Sequence, residues 1–321
     1  MMSQPAPSFD QLQVMLAVVE AGSFSGAARR LNRAQSAVTY AVQRLEEQLG
    51  TALFDRATYR PTLTEAGRTL LPRARLIAEE MRALGDHARG IAAGLEPELT
   101  LIVDALFPMW VLLETLRIFG ARFPSVPPRI YVETLGGATE LVLNGTCAIG
   151  LLLTFGSEFE PLQRQHLLDI TLIHVAAPSH PLSRIEGPVP REELRRHVQL
   201  VLSDRSGLTG NRDYGVLSSQ TWRLADLGAK HAMLTAGLGW GGMPAHLVAE
   251  DMAAGRLRRI MVEREGDTEE TVTLPLCAAY AHDRPPGPAG RWLLEHLAEM
   301  LETPEGQPVP VKTGPWVQGG A

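Results

Sequence analysis

Apolar residues near the start of the chain recur at helical spacing in three successive segments. A first helix is predicted from Phe9 to Glu20, with Gly22 as its stop. Its predicted inner face consists of Leu12, Met15, Leu16 and Val19. Ser23 can cap a second, short helix that packs closely through small residues. The predicted inner face of this second helix consists of Phe24, Ala27, Ala28 and Leu31.

A third helix is predicted from Gln35 to Leu49, and Gly50 ends it. Its predicted inward positions are Val38, Val42, Leu45 and Leu49. The opposite side carries polar, uncharged residues, namely Ser36, Thr39, Tyr40 and Gln43. An ordinary solvated face more often carries Glu and Lys, whereas uncharged hydrogen-bonding groups suit the reading of base edges in a DNA groove. The three segments therefore predict a helix-turn-helix.

Two short strand-like pieces follow the third helix, at residues 52–54 and 62–63. The loop between them, Asp55 to Pro61, contains Arg56 and Arg60. A β-hairpin wing beside the groove, with arginines directed at phosphate, has this pattern. The segment is therefore predicted to be a wing.

A long helix is predicted to begin at Thr64, its N-cap, with Glu65 near the positive helix end. Apolar residues then alternate at steps of four and three, which is a heptad pattern. The stripe consists of Leu70, Ala74, Ile77, Met81, Leu84, Ala88 and Ile91. Such a stripe needs a partner, either a core of the same chain or a second copy. Because the helix lies between two predicted domains, self-pairing is favoured, and Gly90, Gly94 and Pro97 mark a hinge after it.

The charge distribution supports a DNA-binding segment within an otherwise acidic chain. The chain has 321 residues, which predicts two or three domains, and a formal net charge of -6. From Ser23 to Arg75, however, nine arginines outnumber four acids. The chain shows neither a basic run before an apolar stretch at its start nor an apolar segment long enough to span a bilayer. A cytoplasmic protein without membrane contact is therefore expected.

Residues Ala21 to Gly67 closely resemble the DNA-binding domain of LysR-type transcriptional regulators. The resemblance rests on the SF-x-x-AA-x-x-L core, the Q-S-A-V start and LE-x-x-LG end of the third helix, and the LF-x-R wing with its LT-x-x-G exit. It implies major-groove contacts from Gln35, Ser36, Thr39, Tyr40 and Gln43. It implies backbone contacts from Arg33, Arg44, Arg56 and Arg60. The alternative is a winged helix used only for protein contact.

From Glu98 onward, short apolar runs alternate with amphipathic stretches, which predicts an α/β domain with largely parallel strands. Strands are predicted at residues 99–103, 129–134, 147–153, 168–177, 199–202, 221–224, 257–262 and 271–281. Helices are predicted at residues 108–122, 138–144, 191–197, 226–236, 244–254 and 290–301. A flexible tail rich in Pro and Gly is expected at residues 304–321.

This order resembles the effector domain of LysR-type regulators, which has the two-lobed shape of periplasmic solute-binding proteins. The expected fold class is α+β overall: a helix-rich winged helix-turn-helix domain at 1–63, a linker and dimerisation helix at 64–93, and a two-lobed α/β effector-binding domain at 98–303. The first lobe is expected at about 98–165 and 272–303, and the second at about 166–271. The resemblance also implies that the linker helices of two subunits pair antiparallel.

Ligands in such α/β domains bind in the crevice beyond the carboxyl ends of the strands. This rule nominates as effector-binding residues Asp104, Ala105, Leu106, Leu135, Gly136, Thr139, Ser203, Arg205, Trp222, Gly239 and Trp240. The resemblance implies that relatives which bind carboxylates often have a hydroxyl residue in place of Asp104. An acid there disfavours an anionic effector unless Arg205 pairs with it. Trp222 and Trp240 suit a flat or aromatic effector, although tryptophan is at least as often a core residue.

Other chemistry is not indicated. Gly237, Gly239 and Gly242 spell G-x-G-x-x-G, but the segment before them is predicted to be helical, whereas a dinucleotide site needs a strand there. The chain has no G-x-S-x-G elbow and no His or Cys at metal spacing, so no enzyme activity, cofactor or metal is expected. Cys147 and Cys277 lie in apolar runs, which is typical of buried structural thiols.

The predicted function is that of a sequence-specific bacterial transcriptional regulator, controlled by a small molecule bound between the two lobes. The expected partners are double-stranded DNA, an effector for which an aromatic molecule is a candidate, further copies of the chain in a homodimer or homotetramer, and RNA polymerase. The alternative is a solute-binding protein of the same effector-domain fold that does not bind DNA. Retention on heparin that falls steeply with salt is expected of the regulator only.

Overall fold

A computed structural model of the chain describes residues 6–55, 61–153, 161–203, 206, 208, 214–263 and 272–302. The chain forms two compact units, residues 1–89 and 90–321. Arg56, Arg60 and Arg205, together with the predicted tail at 304–321, lie outside the described residues.

The amino-terminal unit contains a core of three helices, a β-hairpin and most of a long helix. Its elements are α1 (Phe9–Ala21), α2 (Phe24–Leu31), α3 (Gln35–Leu49), β1 (Phe54–Asp55), β2 (Thr62–Leu63) and α4 (Glu65–Ala92). The two strands pair antiparallel, as expected of a wing. The predicted order of elements in this unit is confirmed.

Short polar residues and glycines fix the ends of these helices. Ser8 Oγ accepts a hydrogen bond from Gln11 N at 3.3 Å, and Gln11 Oε1 accepts one from Ser8 N at 2.7 Å, which caps α1. Ser23 Oγ accepts from a backbone N–H of α2 at 3.0 Å and is the predicted cap. Gly22 and Gly50 have φ values of 64° and 68°, so they end α1 and α3 in a left-handed conformation that glycine adopts without steric cost.

The apolar core of this unit lies between α1, α2 and α3. Val38, Val42 and Leu45 of α3 are fully buried, whereas Leu49, which is predicted to face inward, is 38% exposed at the helix end. Because α1 contacts both other helices, its buried side is broader than predicted. The buried residues of α1 are Val14, Met15, Ala17 and Val18. The predicted residues Leu12, Leu16 and Val19 are partly buried at the margin of the core.

Thr64 and Gly67 join the hairpin to α4. Thr64 Oγ1 accepts from Gly67 N at 3.0 Å, which is the predicted N-cap, and donates to Ala52 O at 2.7 Å. A Cβ on Gly67 would lie 2.2 Å from Leu53 O, so only glycine allows α4 to start this close to the hairpin. The LT-x-x-G motif therefore has a packing role. The helix continues through Pro72 to its end.

The carboxyl-terminal unit is a mixed α/β domain. In its described residues, the strands are β3 (Leu99–Asp104), β4 (Pro128–Glu133), β5 (Ile149–Leu153), β6 (Leu162–Ala176), β7 (Gln199–Leu202), β8 (Thr221–Leu224), β9 (Trp240–Pro244), β10 (Arg258–Ile260) and β11 (Val272–Ala281). The helices are α5 (Met109–Arg122), α6 (Gly136–Leu143), α7 (Arg191–Leu194), α8 (Leu227–Thr235), α9 (Ala245–Ala253) and α10 (Pro288–Glu302). No helix among the described residues of the chain is long and apolar enough to cross a membrane.

One mixed sheet extends through the described part of this domain in the order β4-β3-β5-β11-β6-β9-β7-β8, and β10 pairs with β6. Parallel pairs form at both ends of the sheet, among β3, β4 and β5 and among β7, β8 and β9. The long strands β6 and β11 lie between these groups and pair antiparallel. Two groups of parallel strands joined by two long strands give the two lobes of the fold.

The middle of the sheet differs from the predicted parallel arrangement. β6 begins at Leu162, earlier than predicted. The prediction missed its first part because residues such as Arg164 and His166 are polar and exposed and lack an apolar strand pattern. β9 was not predicted at all, because two glycines interrupt Trp240–Pro244. A Cβ on Gly241 would lie 2.5 Å from Leu200 O, so a glycine allows β9 to approach the backbone of β7.

Candidate functional site

The outward side of α3 is exposed and carries hydrogen-bonding groups without charge. Gln35, Ser36 and Gln43 are exposed, Thr39 is half-buried, and the Tyr40 side chain is 63% exposed. The opposite side of the same helix is fixed in the core, so the helix presents these groups from a rigid support. Donors and acceptors held in this way are suited to the recognition of base edges in a groove.

Two of the predicted phosphate-binding arginines form ion pairs in the amino-terminal unit. Arg33 Nη1 and Nη2 donate to the carboxylate of Asp10 at 2.9 and 2.7 Å, and Arg44 Nη1 donates to Glu47 at 2.6 Å. The Arg33 guanidinium lowers the pKa of the Asp10 carboxyl. All four side chains are well exposed, so these ion pairs contribute little to stability.

Glu46 is a positioning residue that was not predicted. Its Oε1 accepts hydrogen bonds from Leu53 N at 2.8 Å and from Phe54 N at 3.1 Å. These bonds join α3 to the first strand of the hairpin, so they fix the wing relative to the helix. The acid of the LE-x-x-LG motif was the signal that could have identified this role.

The predicted dimerisation stripe on α4 divides into a buried and an exposed part. Leu70 packs against the amino-terminal core and Ala74 is 3% exposed within it, because the first turns of α4 lie against that core. The assignment of these two residues to a dimer surface is corrected accordingly. The exposed residues of the stripe are Ile77 (45%), Met81 (44%), Leu84 (62%), Ala88 and Ile91 (51%). An exposed apolar stripe of this length is typical of a surface that a partner covers.

The carboxyl ends of strands from both lobes border one crevice. Thr134 follows β4 and Ser203 follows β7, and Thr134 Oγ1 donates to Ser203 O across the crevice at 3.4 Å. A cavity of about 330 Å³ lies at these strand ends. It is lined by Ala105, Val132, Asp226, Leu227, Gly228, His231, Met243 and Leu247. Of these only Ala105 was predicted, because the others belong to helices, to a strand interior or to the unpredicted strand β9.

Asp104 precedes Ala105 and is fully buried. Its Oδ1 accepts from Leu106 N and its Oδ2 accepts from Leu135 N, both at 2.9 Å. Burial raises the pKa of this carboxyl to about 7, although both hydrogen bonds act in the opposite direction. Asp104 thus joins the loop after β3 to the start of α6. Its carboxylate positions these two segments, and direct contact of Asp104 with an effector stays a prediction.

The neighbouring predicted residues also have structural roles. The side chains of Leu106 and Leu135 are buried in the main core, and these residues provide backbone amides to Asp104. Leu135 has φ 54° and ψ -130°, a strained conformation for a residue with a Cβ. Gly136 is buried at the start of α6. Thr139 is 2% exposed, and its hydroxyl has no hydrogen-bond partner among the described residues.

The two predicted tryptophans of the second lobe lie in different environments. Trp240 is fully buried at the amino end of β9, and its Nε1 donates to His197 O at 3.4 Å. A Cβ on the preceding Gly239 would lie 2.6 Å from Val198 O. Gly239 and Trp240 are therefore at the opposite end of the strands from the crevice, and their assignment to it is corrected. Trp222 is 47% exposed within the edge strand β8.

His231 is a polar residue of the cavity that was not predicted. Its Nε2 lies 2.6 Å from Asp251 Oδ2, and Arg256 Nε donates to the other carboxylate oxygen. Hydrogen bonds from Arg256 and, to a smaller extent, from His231 lower the pKa of Asp251. Because an ionised carboxylate can only accept, His231 Nε2 donates to Asp251 and is not free to bind a ligand.

The remaining sequence features have structural roles. Gly237 and Gly239 follow the helix α8, as predicted, and not a strand. Cys147 and Cys277 are free and buried, and burial raises the pKa of each thiol to about 11. Thiols with such pKa values are poor nucleophiles at neutral pH, as expected of structural cysteines.

Both parts of the chain match described protein families. Residues 9–68 match the bacterial regulatory helix-turn-helix protein, lysR family, and residues 92–302 match the LysR substrate binding domain. The chain belongs to the LysR family of HTH-type transcriptional regulators and contains an effector-binding domain. Its relatives are regulators and not enzymes, in agreement with the prediction.

Individual relatives share this organisation over nearly their whole length. The chain is 30% identical over 309 residues to the probable HTH-type transcriptional regulator YhaJ of Escherichia coli K12, covering 94% of this chain and 99% of the relative. It is 30% identical over 303 residues to the HTH-type transcriptional regulator CrgA of Neisseria meningitidis serogroup C, covering 91% and 96%. The solved structure of the H2O2-bound OxyR C206S mutant of Corynebacterium glutamicum is 21% identical, with a TM-score of 0.51 over 92% of this chain and 94% of that one. At this identity the likeness shows the fold alone.

Proposed function

We propose that α3 enters the major groove of DNA and reads base edges with its outward face. The reading residues are Gln35, Ser36, Thr39, Tyr40 and Gln43. The observation that carries this proposal is an exposed, uncharged, hydrogen-bonding face on a helix whose other side is fully buried. Arg33 and Arg44 exchange their acidic partners for phosphate, and Arg56 and Arg60 bind the DNA backbone from the wing segment.

The exposed part of the α4 stripe pairs with the same stripe of a second copy. Burial of each large apolar side chain favours this pairing by about 2 kcal/mol. Contacts between effector domains extend the dimer to a tetramer that binds inverted repeats. The boundaries proposed for this assembly are a DNA-binding domain at 1–63, a linker helix at 64–93 and an effector domain at 98–303.

The pairing of α4 can be tested by sedimentation of the full-length protein. Leu84→Glu places a charge on the stripe and is expected to shift the protein toward the monomer. Ile185→Glu, at an exposed apolar residue of the effector domain, is the control and leaves the assembly unchanged. An unchanged sedimentation coefficient for Leu84→Glu contradicts pairing through this stripe.

A small molecule binds in the cavity between the lobes and controls the arrangement of the DNA-binding domains. Such control requires that the molecule bind two arrangements with different affinity. The cavity, bordered by both lobes, supports this proposal because closure of the lobes changes its shape. The proposed location of the protein is the cytoplasm, where DNA and RNA polymerase are its partners.

Fluorescence anisotropy on a duplex selected by the full-length protein tests the DNA-binding surface. Arg44→Ala is expected to weaken binding to every duplex and to reduce the slope of log K against log salt by about 1. Gln35→Ala is expected to lose discrimination of about 1–3 kcal/mol at one base pair and to keep the salt slope. Arg117→Ala removes the same charge from the effector domain and serves as the control. The docking of α3 is contradicted if Arg44→Ala and Gln35→Ala both behave like Arg117→Ala.

A further inference from the structure

We propose that the cavity between the lobes selects an effector that carries hydrogen-bond donors and no carboxylate. The chemical class is a small, largely apolar molecule with an amine or hydroxyl group. This inference rests on the proposed function, in which the effector binds in that cavity. Three features of the described residues support it: the hydrogen bonds of Asp104, the cap of α8, and the apolar lining of the cavity with the free carboxylate oxygen of Asp226.

In the first lobe, the chain itself occupies the position where backbone amides could hold an anion. The N–H groups of Leu106 and Leu135 converge on one carboxylate at 2.9 Å each, and this carboxylate belongs to Asp104. Both donors are therefore satisfied without a ligand. A ligand carboxylate at this edge of the crevice gains no hydrogen bond from them and is repelled when Asp104 is ionised.

In the second lobe, the start of α8 is capped by another carboxylate of the chain. Asp226 Oδ1 accepts from Ala229 N at 2.5 Å. The negative charge of Asp226 offsets the partial positive charge of the helix end where Leu227 and Gly228 line the cavity. The helix end that would otherwise attract an anion is thus already neutralised.

The acidic side chain that lines the cavity then offers an acceptor to a ligand. Asp226 has a second carboxylate oxygen beside the one that caps α8, whereas His231 Nε2 is already directed at Asp251. The rest of the lining is largely apolar, consisting of Ala105, Val132, Leu227, Met243 and Leu247, with Gly228 beside them. A molecule with donors on an apolar body satisfies both parts of this lining, and about 330 Å³ is at the lower end of the usual size of ligand pockets.

Three probes of similar size distinguish these preferences: benzylamine, benzyl alcohol and benzoate. Thermal unfolding of the full-length protein is measured with each probe at the same millimolar concentration and ionic strength. Benzylamine and benzyl alcohol are expected to raise the Tm, and benzoate is expected to leave it unchanged. The proposal is overturned if benzoate raises the Tm as much as the other two, or if neither donor probe raises it.

Variants of the two internal carboxylates sharpen the test. Asp104→Gly frees the amides of Leu106 and Leu135, so acetate is expected to raise the Tm of this variant and not that of the wild type. Asp226→Asn keeps a capping residue on α8 and is expected to weaken benzylamine binding about tenfold, with little effect on benzyl alcohol. Asp283→Asn, at an exposed acid, is the control and changes neither response. Unchanged benzylamine affinity in Asp226→Asn contradicts the proposal even if Asp104→Gly does not fold.

A cavity-filling variant separates this proposal from the proposed function. Leu247→Trp enlarges a partly exposed residue of the cavity wall and is expected to abolish the response to every probe. If a response persists in this variant, the probe binds elsewhere, and both the location of the effector and its proposed class are wrong. If the responses require an open cavity but benzoate binds best, the location stands and the proposed class is wrong.

Discussion

The outward face of α3 and the crevice of the effector domain arrange their polar groups in opposite ways. On the outward face of α3, Gln35, Ser36, Thr39, Tyr40 and Gln43 are uncharged, come from one short segment and are exposed except for the half-buried Thr39. At the crevice, Asp104 and Asp226 are acidic residues whose oxygens are bound to backbone N–H groups of the same chain. The α3 face therefore has hydrogen-bonding groups available for a partner, whereas polar groups at the crevice form hydrogen bonds with one another. If the proposed function holds, DNA preference depends on individual side chains, and effector preference depends on which backbone groups are already hydrogen-bonded.

The largest effect on stability is expected from Trp240, which is buried in the core and not in the crevice. Trp240→Ala removes a fully buried indole and is expected to lower the free energy of unfolding by about 4 kcal/mol. Trp222→Ala, in an exposed position on β8, is expected to change it by less than about 0.5 kcal/mol. Urea unfolding followed by circular dichroism measures both values. A small effect of Trp240→Ala would mean that this residue is not part of the core.

Gly67, in the first turn of α4, tests how closely this helix packs against the hairpin. Gly67→Ala places a Cβ 2.2 Å from Leu53 O and is expected to destabilise the amino-terminal unit by about 3 kcal/mol. Gly85→Ala, in the same helix, has only the flexible end of Arg89 at 3.5 Å from its Cβ and is expected to stabilise by about 0.5 kcal/mol. Chemical unfolding of the two variants measures the difference. Equal stabilities contradict the close packing of α4 on the hairpin.

The buried carboxyl of Asp104 predicts a pH dependence of stability. Its folded-state pKa of about 7 lies above the value of 3.8 for a free side chain. As the pH rises toward 7, the unfolded chain releases this proton while the folded chain retains it, so the contribution of Asp104 to stability falls and becomes constant above pH 7. From about pH 5 to about pH 8, the free energy of unfolding of the wild type is expected to fall by about 3 kcal/mol relative to Asp104→Asn. Asp283→Asn is the control for loss of an acid.

Urea unfolding across this pH range gives the free energy of unfolding of the wild type and of Asp104→Asn as two curves against pH. The expected result is a separation that changes between about pH 5 and 7 and is constant at higher pH. Parallel curves throughout the range mean that the carboxyl titrates near its ordinary pKa and is not buried as described.

The smallest effect is expected at the border of the reading surface. Asp10→Asn removes the ionic partner of Arg33 and is expected to change stability by no more than about 0.5 kcal/mol. It is also expected to raise DNA affinity a few-fold, because Arg33 no longer exchanges an acid for phosphate. Glu20→Gln, which loses a pair with Arg30, is the matched control. Weaker DNA binding by Asp10→Asn contradicts the role proposed for Arg33.

The two regions also differ in how far the sequence predicts them. The bounds of α3 and the cap of α2 follow from local signals such as Ser23 and Gly50, which act within one or two turns. The crevice depends on contacts between distant segments, so the sequence indicates strand ends but not that Asp104 is bound to Leu135 N. β9 was missed because its glycines serve packing against β7 and resemble a loop in the sequence. Because β9 was not predicted, the sequence also did not show that Trp240 lies at its amino end, away from the crevice.

The central claim, that the outward face of α3 lies in a DNA groove, is tested most directly by cross-linking from Tyr40. A photoreactive benzoylphenylalanine in place of Tyr40 is irradiated in the full-length protein bound to a selected duplex, with the same group in place of Trp222 as the control. Covalent adducts to DNA are expected from position 40 and none from position 222. DNA that is fully bound in a mobility-shift assay and forms no adduct from position 40 would contradict this claim.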